Sequence, residues 1–433
     1  MSVRLFIDKL RNCKSEDSGL FSEEGNISGA HLALQIEERA KYWGDQSVCS
    51  KIVSICLTNS ISSIVDLFSL ALAGNIIYPY YKNQTLQQGK IYPFIEVMIH
   101  SQEIESKKAI SDKLLQQSLL EKKPGVILST SGTTGSAKWL LHSLDGLIEK
   151  YAGLKKNYKL PLIYALDNVS GLETLISILM AGGQVFWGSD IPPYSLSSIL
   201  YSHDFSPTLL SCTPSYLKLM LLSAEKSCFG DVLQVNLGGE RLLEKDRGLF
   251  QNALPRARIN SFYGTSETSS IRTRTKSGTN QINWGVEGED FKVEKDILFL
   301  RKKDFHMLGY LFAEADSDPD WYRTNDLVKS AGNGYYTIEG RADRVAIVAG
   351  KRVLLDAVEN TIRQMEGIES CYVFSEENAL IGNMLCAEVT CATDKITVGE
   401  VRKFCIEKLD ENQRPMKITK TEQIKINSRL KRG

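Results

Sequence analysis

The sequence predicts an α/β fold: a large N-terminal domain of parallel-rich sheets layered with helices, a small β subdomain, and a small α+β C-terminal domain. Three observations carry the prediction. Apolar runs of strand length alternate with helix-period segments over the first 260 residues, which is the pattern of β-α-β units. At 433 residues the chain exceeds what one hydrophobic core usually holds. Beyond Gly340 the alternation changes to a helix followed by longer strand signals.

The first clear unit lies early. Asn26-Ile27-Ser28-Gly29 precedes a helix-period segment from His31 to Ala40. Lys51 to Leu57 reads as an apolar strand, Asn59-Ser60 as a helix start, and Ile61 to Ala73 as a buried helix closed by Gly74. Asn75-Ile76-Ile77-Tyr78-Pro79 begins the next strand, which implies a parallel pair with a helical crossover. Ile110, Leu114, Leu115, Leu119 and Leu120 suggest a surface helix before Gly125. Trp139 to Lys150 reads as another helix, with His142 as an ordinary surface or partly packed residue. Leu160 to Tyr164 reads as a strand and Glu173 to Ala181 as a buried helix ended by Gly182-Gly183. Ser206 to Ser215 then reads as a strand running into a helix begun by Pro214, and the apolar strand that starts at Val232 stops at Gly238-Gly239. Glu287 to Leu300 reads as the small β subdomain, with a turn at Leu308-Gly309-Tyr310. In the last part, Asp356 to Met365 reads as a helix, and Ser370 to Phe374 and Met384 to Thr390 as strands.

Composition narrows the function class. Hydrophobic residues make up 42%, which excludes a disordered chain. Lys+Arg and Asp+Glu are 52 each, so charge supplies no reason to expect nucleic acid or an anionic membrane as partner. The nine cysteines form no Cys-x-x-Cys grouping and read as reduced thiols. The start has no long apolar segment, and the longest apolar run, Leu67 to Gly74, is too short to cross a bilayer. A soluble, cytoplasmic protein is the expectation.

The chemistry concentrates first in Ser129-Thr130-Ser131-Gly132-Thr133-Thr134-Gly135-Ser136-Ala137-Lys138. Glycines let backbone N–H groups approach an anion, the hydroxyls add donors, and Lys138 adds charge, a combination suited to polyphosphate. The Gly-Lys-Ser/Thr step of a Walker A loop is missing, which disfavours a P-loop kinase. The stretch resembles instead the phosphate loop of the adenylate-forming superfamily of acyl- and aryl-CoA ligases, amino-acid adenylation domains and luciferases. Only Ala137 departs from its pattern, standing in the proline place.

Four later motifs follow in that family's order. Gly238-Gly239-Glu240 resembles its turn beside adenine and the acid pocket. Tyr263-Gly264-Thr265-Ser266-Glu267 resembles Tyr-Gly-x-Thr-Glu: a ring for adenine, a hydroxyl for the α-phosphate and a hard oxygen ligand for Mg²⁺. Tyr322-Arg323-Thr324-Asn325-Asp326-Leu327 resembles Tyr-Arg-Thr-Gly-Asp-Leu, with Asn325 tolerating the positive φ of the missing glycine and Asp326 accepting the ribose hydroxyls. Gly340-Arg341-Ala342-Asp343-Arg344 resembles the hinge motif, with Arg341 reaching the nucleotide and Asp343 as pivot. That divides the chain into an ATP- and acid-binding domain, 1–341, and a mobile lid, 342–433. Ile424-Lys425-Ile426-Asn427-Ser428-Arg429-Leu430-Lys431-Arg432 resembles the closing motif more loosely, which makes Lys431 the catalytic cation and Arg429 its competitor from another register.

The resemblance implies ATP, Mg²⁺ and a carboxylic acid, with acyl transfer to CoA or to a separate carrier protein. Thr130, Ser131, Gly132, Thr133, Thr134, Gly135, Lys138, Gly239, Glu240, Tyr263, Gly264, Asp326 and Arg341 are the expected nucleotide contacts. Lys431, Glu267, Ser266 and Arg341 are the expected catalytic groups, Glu267 holding the metal. The acid pocket is expected among Tyr164, Asp167, Asn168, Gly171, Cys212, Asn236, Gly238 and Thr265. Asp167 reads equally as a cap on the following turn. Val169 stands where amino-acid adenylation domains carry an aspartate, which leans against an α-amino acid substrate. The departures at Lys425 and Leu430 keep open a second class, a nucleotide-binding relative with impaired catalysis.

Overall fold

In the computed structural model the βαβ pattern near residue 52 becomes the middle of a seven-stranded sheet. The structure describes residues 2–13, 18–58, 60–81, 95, 97–100, 103–106, 112–130, 138–188, 191–223, 229–271, 273–276, 278–312, 318–348, 350–378, 382–391 and 396–421. Contacts divide the chain into two compact units: Met1–Glu240, Phe250–Ile271 and Asp304–Ser317 form the first, and Arg241–Leu249, Arg272–Lys303 and Asp318–Gly433 the second.

In the first unit, Ile52–Leu57 and Ile76–Tyr81 pair in parallel, as their spacing requires, around the helix Ile61–Leu72. Gly125–Thr130 adds a further parallel strand. Lys138–Ser143 then returns antiparallel to it, with Thr130 opposite Lys138. Trp139 to Lys150 is therefore a strand followed by a short helix, Leu144–Glu149, and not one helix. The apolar run Trp139-Leu140-Leu141 is buried in the sheet, which overrides the helical spacing of Leu140, Leu144, Leu147 and Ile148. The expected turn at 308–310 is likewise a strand, Met307–Leu311, on the edge of the same sheet beside Lys138–Ser143.

A second sheet joins Gly25–Ser28, Gly19–Ser22, Gln184–Trp187 and Lys159–Leu162. A third is wholly parallel: Leu209–Cys212, Gln234–Leu237 and Arg258–Ser261. An amphipathic helix, Ser2–Arg11, was not expected; its Val3, Phe6, Ile7 and Leu10 are buried at the i, i+3, i+4, i+7 spacing that marks one helical face. The helix expected at 173–181 runs from Val169 to Met180, and Asn168, not Asp167, caps it by accepting from Gly171 N at 2.9 Å.

In the second unit an antiparallel six-stranded sheet includes the long strands Trp321–Gly332 and Tyr335–Arg341. From residue 345 onward the chain has its own core, with Val353, Val358, Ile362, Val373, Leu385 and Val401 buried together. A five-stranded sheet and the helices Leu355–Ile362 and Val398–Lys408 enclose it. Among the described residues no helix is long and apolar enough to cross a membrane. The described cysteines are free, and Cys212, Cys371, Cys386 and Cys405 are buried.

Candidate active site

The carboxyl ends of the three parallel strands place Cys212, Leu237 and Ser261 side by side. Ligands of open α/β sheets sit beyond such ends. Here the chain leaves as Thr213-Pro214, Gly238-Gly239 and Phe262-Tyr263. Gly239 stands at φ 81°, a conformation that favours glycine. A Cβ at Gly238 would meet only ordinary contacts, among them the Tyr164 hydroxyl at 4.0 Å. The Tyr164 hydroxyl donates to the Gly238 carbonyl at 3.5 Å, and burial, then Cys212 and Glu240, hold its phenol well above the usual value. Burial and Glu240 likewise push the Cys212 thiol up, so it stays protonated. Glu240 accepts from the Ser215 N–H at 3.2 Å and its hydroxyl at 2.5 Å, fixing the start of the helix Pro214–Ser223. Asn236 accepts from Gln234 at 2.8 Å and from Asn260 at 3.4 Å.

Tyr263 and Thr265 belong to a hairpin with Ser269–Ile271, and Ser266-Glu267-Thr268 forms its turn. Gly264 is required by that pairing, because a Cβ would stand 2.3 Å from the Ser269 carbonyl oxygen. Gly171 is required in the same way by the Ala165 carbonyl oxygen at 2.1 Å. The Thr265 hydroxyl accepts from the N–H groups of Glu267 and Thr268, both at 3.2 Å, so it builds the turn. Asp167 is buried at 2% exposure one residue before the cap.

The hairpin is anchored from beneath. Lys150 donates to Glu173 at 2.5 Å, to the Ser270 carbonyl at 2.5 Å and to the Ser269 hydroxyl at 3.1 Å. Glu173 also accepts from Tyr151 at 2.9 Å and from Ser270 N at 2.8 Å. Ser269 takes φ 56°, an uncommon conformation for serine, within these bonds.

Two residues near Glu267 were missed or misjudged by sequence reasoning. Tyr310 donates to Glu267 Oε1 at 2.9 Å, and its ring lies 5.5 Å from the Lys138 ammonium. His142 is fully buried, and neither ring nitrogen has a hydrogen-bond partner among the described residues. Burial pushes its imidazole down to about 4, against the opposing pull of the Ser266 backbone, Glu173 and Glu267; His306 adds to the lowering. The folded protein therefore keeps His142 neutral while an unfolded chain titrates near its ordinary 6.5. Because the folded value is the lower, this contribution is complete above 6.5 and is lost as pH falls toward 4. We expect about 3 kcal/mol of stability to be lost across that window through this residue. Urea unfolding at pH 7 and at pH 4.5 checks it: His142→Leu should lose correspondingly less than wild type, and equal losses would refute the assignment.

In the second unit Asn325 takes φ 63°, as its place in the motif predicts. Arg341 donates to Asp326 at 3.3 Å and grips Asp343 through two bonds at 3.1 and 3.2 Å. Burial opposes the Arg341 charge, but Asp343 and Asp326 outweigh it and hold its pKa above the ordinary value. Asp356 accepts from Arg341 N at 2.8 Å and pairs with Arg344 at 3.1 Å, which pins both sides of the expected pivot. The calls at Ser131, Gly132, Thr133, Thr134, Gly135, Arg429 and Lys431 lie outside the described residues, as does the Thr130 side chain.

Comparisons with known proteins bear on this arrangement. The model of the family described as AMP-binding enzyme matches residues 82–288. A protein named "Putative long chain fatty acid-CoA ligase VraA", from Staphylococcus haemolyticus, is 24% identical over 333 residues, 73% of this chain and 69% of VraA. Bacitracin synthase 3 of Bacillus licheniformis is 24% identical over 338 residues, 70% of this chain but only 5% of that protein. Residues 82–288 carry the domain of that AMP-binding family, and the relatives that the chain resembles over a longer span include one named as a CoA ligase. The solved o-succinylbenzoate CoA synthetase (MenE) of Bacillus subtilis, in complex with its acyl-adenylate intermediate OSB-AMP, shares the fold at TM-score 0.77 and 17% identity; the match covers 99% of this chain and 97% of that one.

The donor chemistry of the site fits Mg²⁺ held mainly by phosphate oxygens and water. Among the described residues no group of three or more His, Cys, Asp or Glu side chains could hold a metal by itself. Glu267 is the one carboxylate on the turn, and Mg²⁺ commonly takes one or two carboxylates with phosphates and water completing its shell. Tyr310 carried no motif signal that a linear reading would assign to the site, whereas His142 adjoined the loop and only its burial was misjudged.

Proposed function

We propose that this chain activates a carboxylic acid with ATP and then transfers the acyl group to a thiol. The acid's carboxylate oxygen attacks the α-phosphorus, the bond to the β-phosphate breaks, and pyrophosphate leaves. The thiol of CoA, or of a carrier protein's phosphopantetheine, then takes the acyl carbon and AMP departs. The observation that carries this reading is the contact chain Lys138–Tyr310–Glu267. It brings the cation of the Ser/Thr/Gly loop and the turn's carboxylate to one tyrosine, an arrangement that suits a metal-bound polyphosphate. The named activities of the CoA ligase and peptide-synthetase relatives support it, as does the acyl-adenylate in the B. subtilis enzyme.

Each residue then has a task. Lys138 and the loop hold the β- and γ-phosphates, Tyr263 stacks on adenine, and Ser266 donates to the α-phosphate. Asp326 accepts the ribose hydroxyls, and Arg341 and Lys431 offset charge as it grows in the transition state. Bound Mg²⁺ would neutralise phosphate charge, and Glu267 would hold it. Tyr164, Cys212 and Gly238 border the acid. Residues 342–433 form the lid that pivots at Asp343 between the two half-reactions.

Pyrophosphate release measured across aryl, short acyl and α-amino acids, with CoA and with a carrier protein, tests the reading. Acid-dependent release with one acid class, followed by a thioester, is expected. ATP binding without pyrophosphate release for any acid would point instead to a nucleotide-binding role.

A further inference from the structure

We infer that Tyr310 positions the metal-binding carboxylate through its hydroxyl and seats the phosphate-loop lysine on its ring. The inference rests on the proposed function and assigns a task to a residue that none of the quoted motif roles covers. The Tyr310 hydroxyl donates to Glu267 Oε1 at 2.9 Å. A carboxylate accepts at both oxygens in several directions, so one fixed donor selects its rotation and leaves lone pairs for a cation. Metal-binding carboxylates commonly need such a partner, and its loss costs about 10–100-fold in metal affinity. The opposite task falls to the ring face, 5.5 Å from the Lys138 ammonium, where the π-system attracts a cation.

The backbone makes Tyr310 a rigid support. Its strand, Met307–Leu311, hydrogen-bonds to Lys138–Ser143 with Tyr310 opposite Leu140. Immediately after it, the Phe312 N–H donates to Asp112 at 3.1 Å, and the same carboxylate caps the helix Lys113–Leu120. Two sequence-distant groups, Lys138 and Glu267, thus share one aromatic side chain held at both ends of its strand.

The two contacts separate by substitution. Tyr310→Phe keeps the ring and removes the hydroxyl, and phenylalanine fills the same half-buried space. Binding of Mn²⁺ in the presence of α,β-methylene-ATP, followed by electron paramagnetic resonance on the full chain, reads the first contact. We expect Tyr310→Phe to weaken Mn²⁺ about 10–100-fold while metal-free binding of the nucleotide, followed by calorimetry, stays within twofold. Tyr310→Leu removes the ring as well and should also weaken metal-free nucleotide binding about two- to fivefold, the size of an exposed cation–π contact. Glu267→Gln serves as the reference. If Glu267→Gln loses Mn²⁺ and Tyr310→Phe binds it as wild type does, the role of Tyr310 is overturned and the proposed function stands. If wild type itself binds no Mn²⁺ with the nucleotide, or Glu267→Gln changes nothing, both readings fall together.

Discussion

Lys431→Ala should lower acid-dependent pyrophosphate release by about 10²–10³-fold, the effect of removing one preorganised charge from a developing anion. The attack of a carboxylate on the α-phosphorus gathers negative charge on both reactants, and a lysine ammonium is a compact charge able to meet it. Nucleotide affinity should change far less, because the charge to be met grows mainly in the transition state. Arg429 is the control. If Lys431→Ala releases pyrophosphate at the wild-type rate while Arg429→Ala is inactive, the catalytic cation is Arg429 and the closing motif is read in the other register. If both variants are fully active, residues 424–432 do not serve the chemistry at all.

Lys150→Met should cost about 3 kcal/mol of stability, the lower end for breaking a buried ion pair. The lower end applies because the Lys150 side chain is 23% exposed, whereas that of Glu173 is 5% exposed and would be left as an uncompensated carboxylate. For a chain of this size the unfolding midpoint should fall by roughly 3 °C. The double variant Lys150→Met/Glu173→Leu should recover part of that loss, since replacing both charges removes the stranded one. The pair also holds the hairpin that carries Tyr263 and Glu267, so the single variant should bind ATP more weakly. Calorimetric unfolding decides the first point: a midpoint within a degree of wild type would mean that the pair contributes nothing.

Much of the fold was legible because its signals are local. The helix at 61–72 and its flanking strands are marked by apolar runs and by Gly74, and they pair in parallel as a short crossover demands. Asn325 was readable as a glycine substitute because the requirement for positive φ belongs to a single residue. The strand Lys138–Ser143 differs from the helix expected there because Leu140, Leu144, Leu147 and Ile148 fall at helical spacing although Leu140 lies in the sheet. Periodicity does not separate those cases in a short apolar run. The helix Ser2–Arg11 is as local a signal, its apolar face of Val3, Phe6, Ile7 and Leu10 set by spacing alone.

The site divides along the same line. Gly264 and Gly171 stood out as residues of ligand motifs, yet the structure gives each a packing reason: a carbonyl oxygen stands where a Cβ would be. Asn168 was expected to line the acid pocket, and its oxygen is committed to starting a helix. These duties could not be read from spacing, because they depend on which backbone passes overhead.

By itself the sequence determined the fold class, α/β, and an ordered set of motifs that resembles the adenylate-forming superfamily. Those features are written in residue identity and in short spacings, which a linear reading preserves. Only the tertiary structure decided that Tyr310 meets Glu267 and Lys138, that His142 is buried and neutral, and that Lys150 and Glu173 anchor the Tyr263–Ile271 hairpin. The first follows from sheet order, because the strand Met307–Leu311 pairs with one formed more than a hundred residues earlier. Nothing in the local pattern of either strand specifies that neighbour; it is chosen by burial and hydrogen bonding over the whole unit.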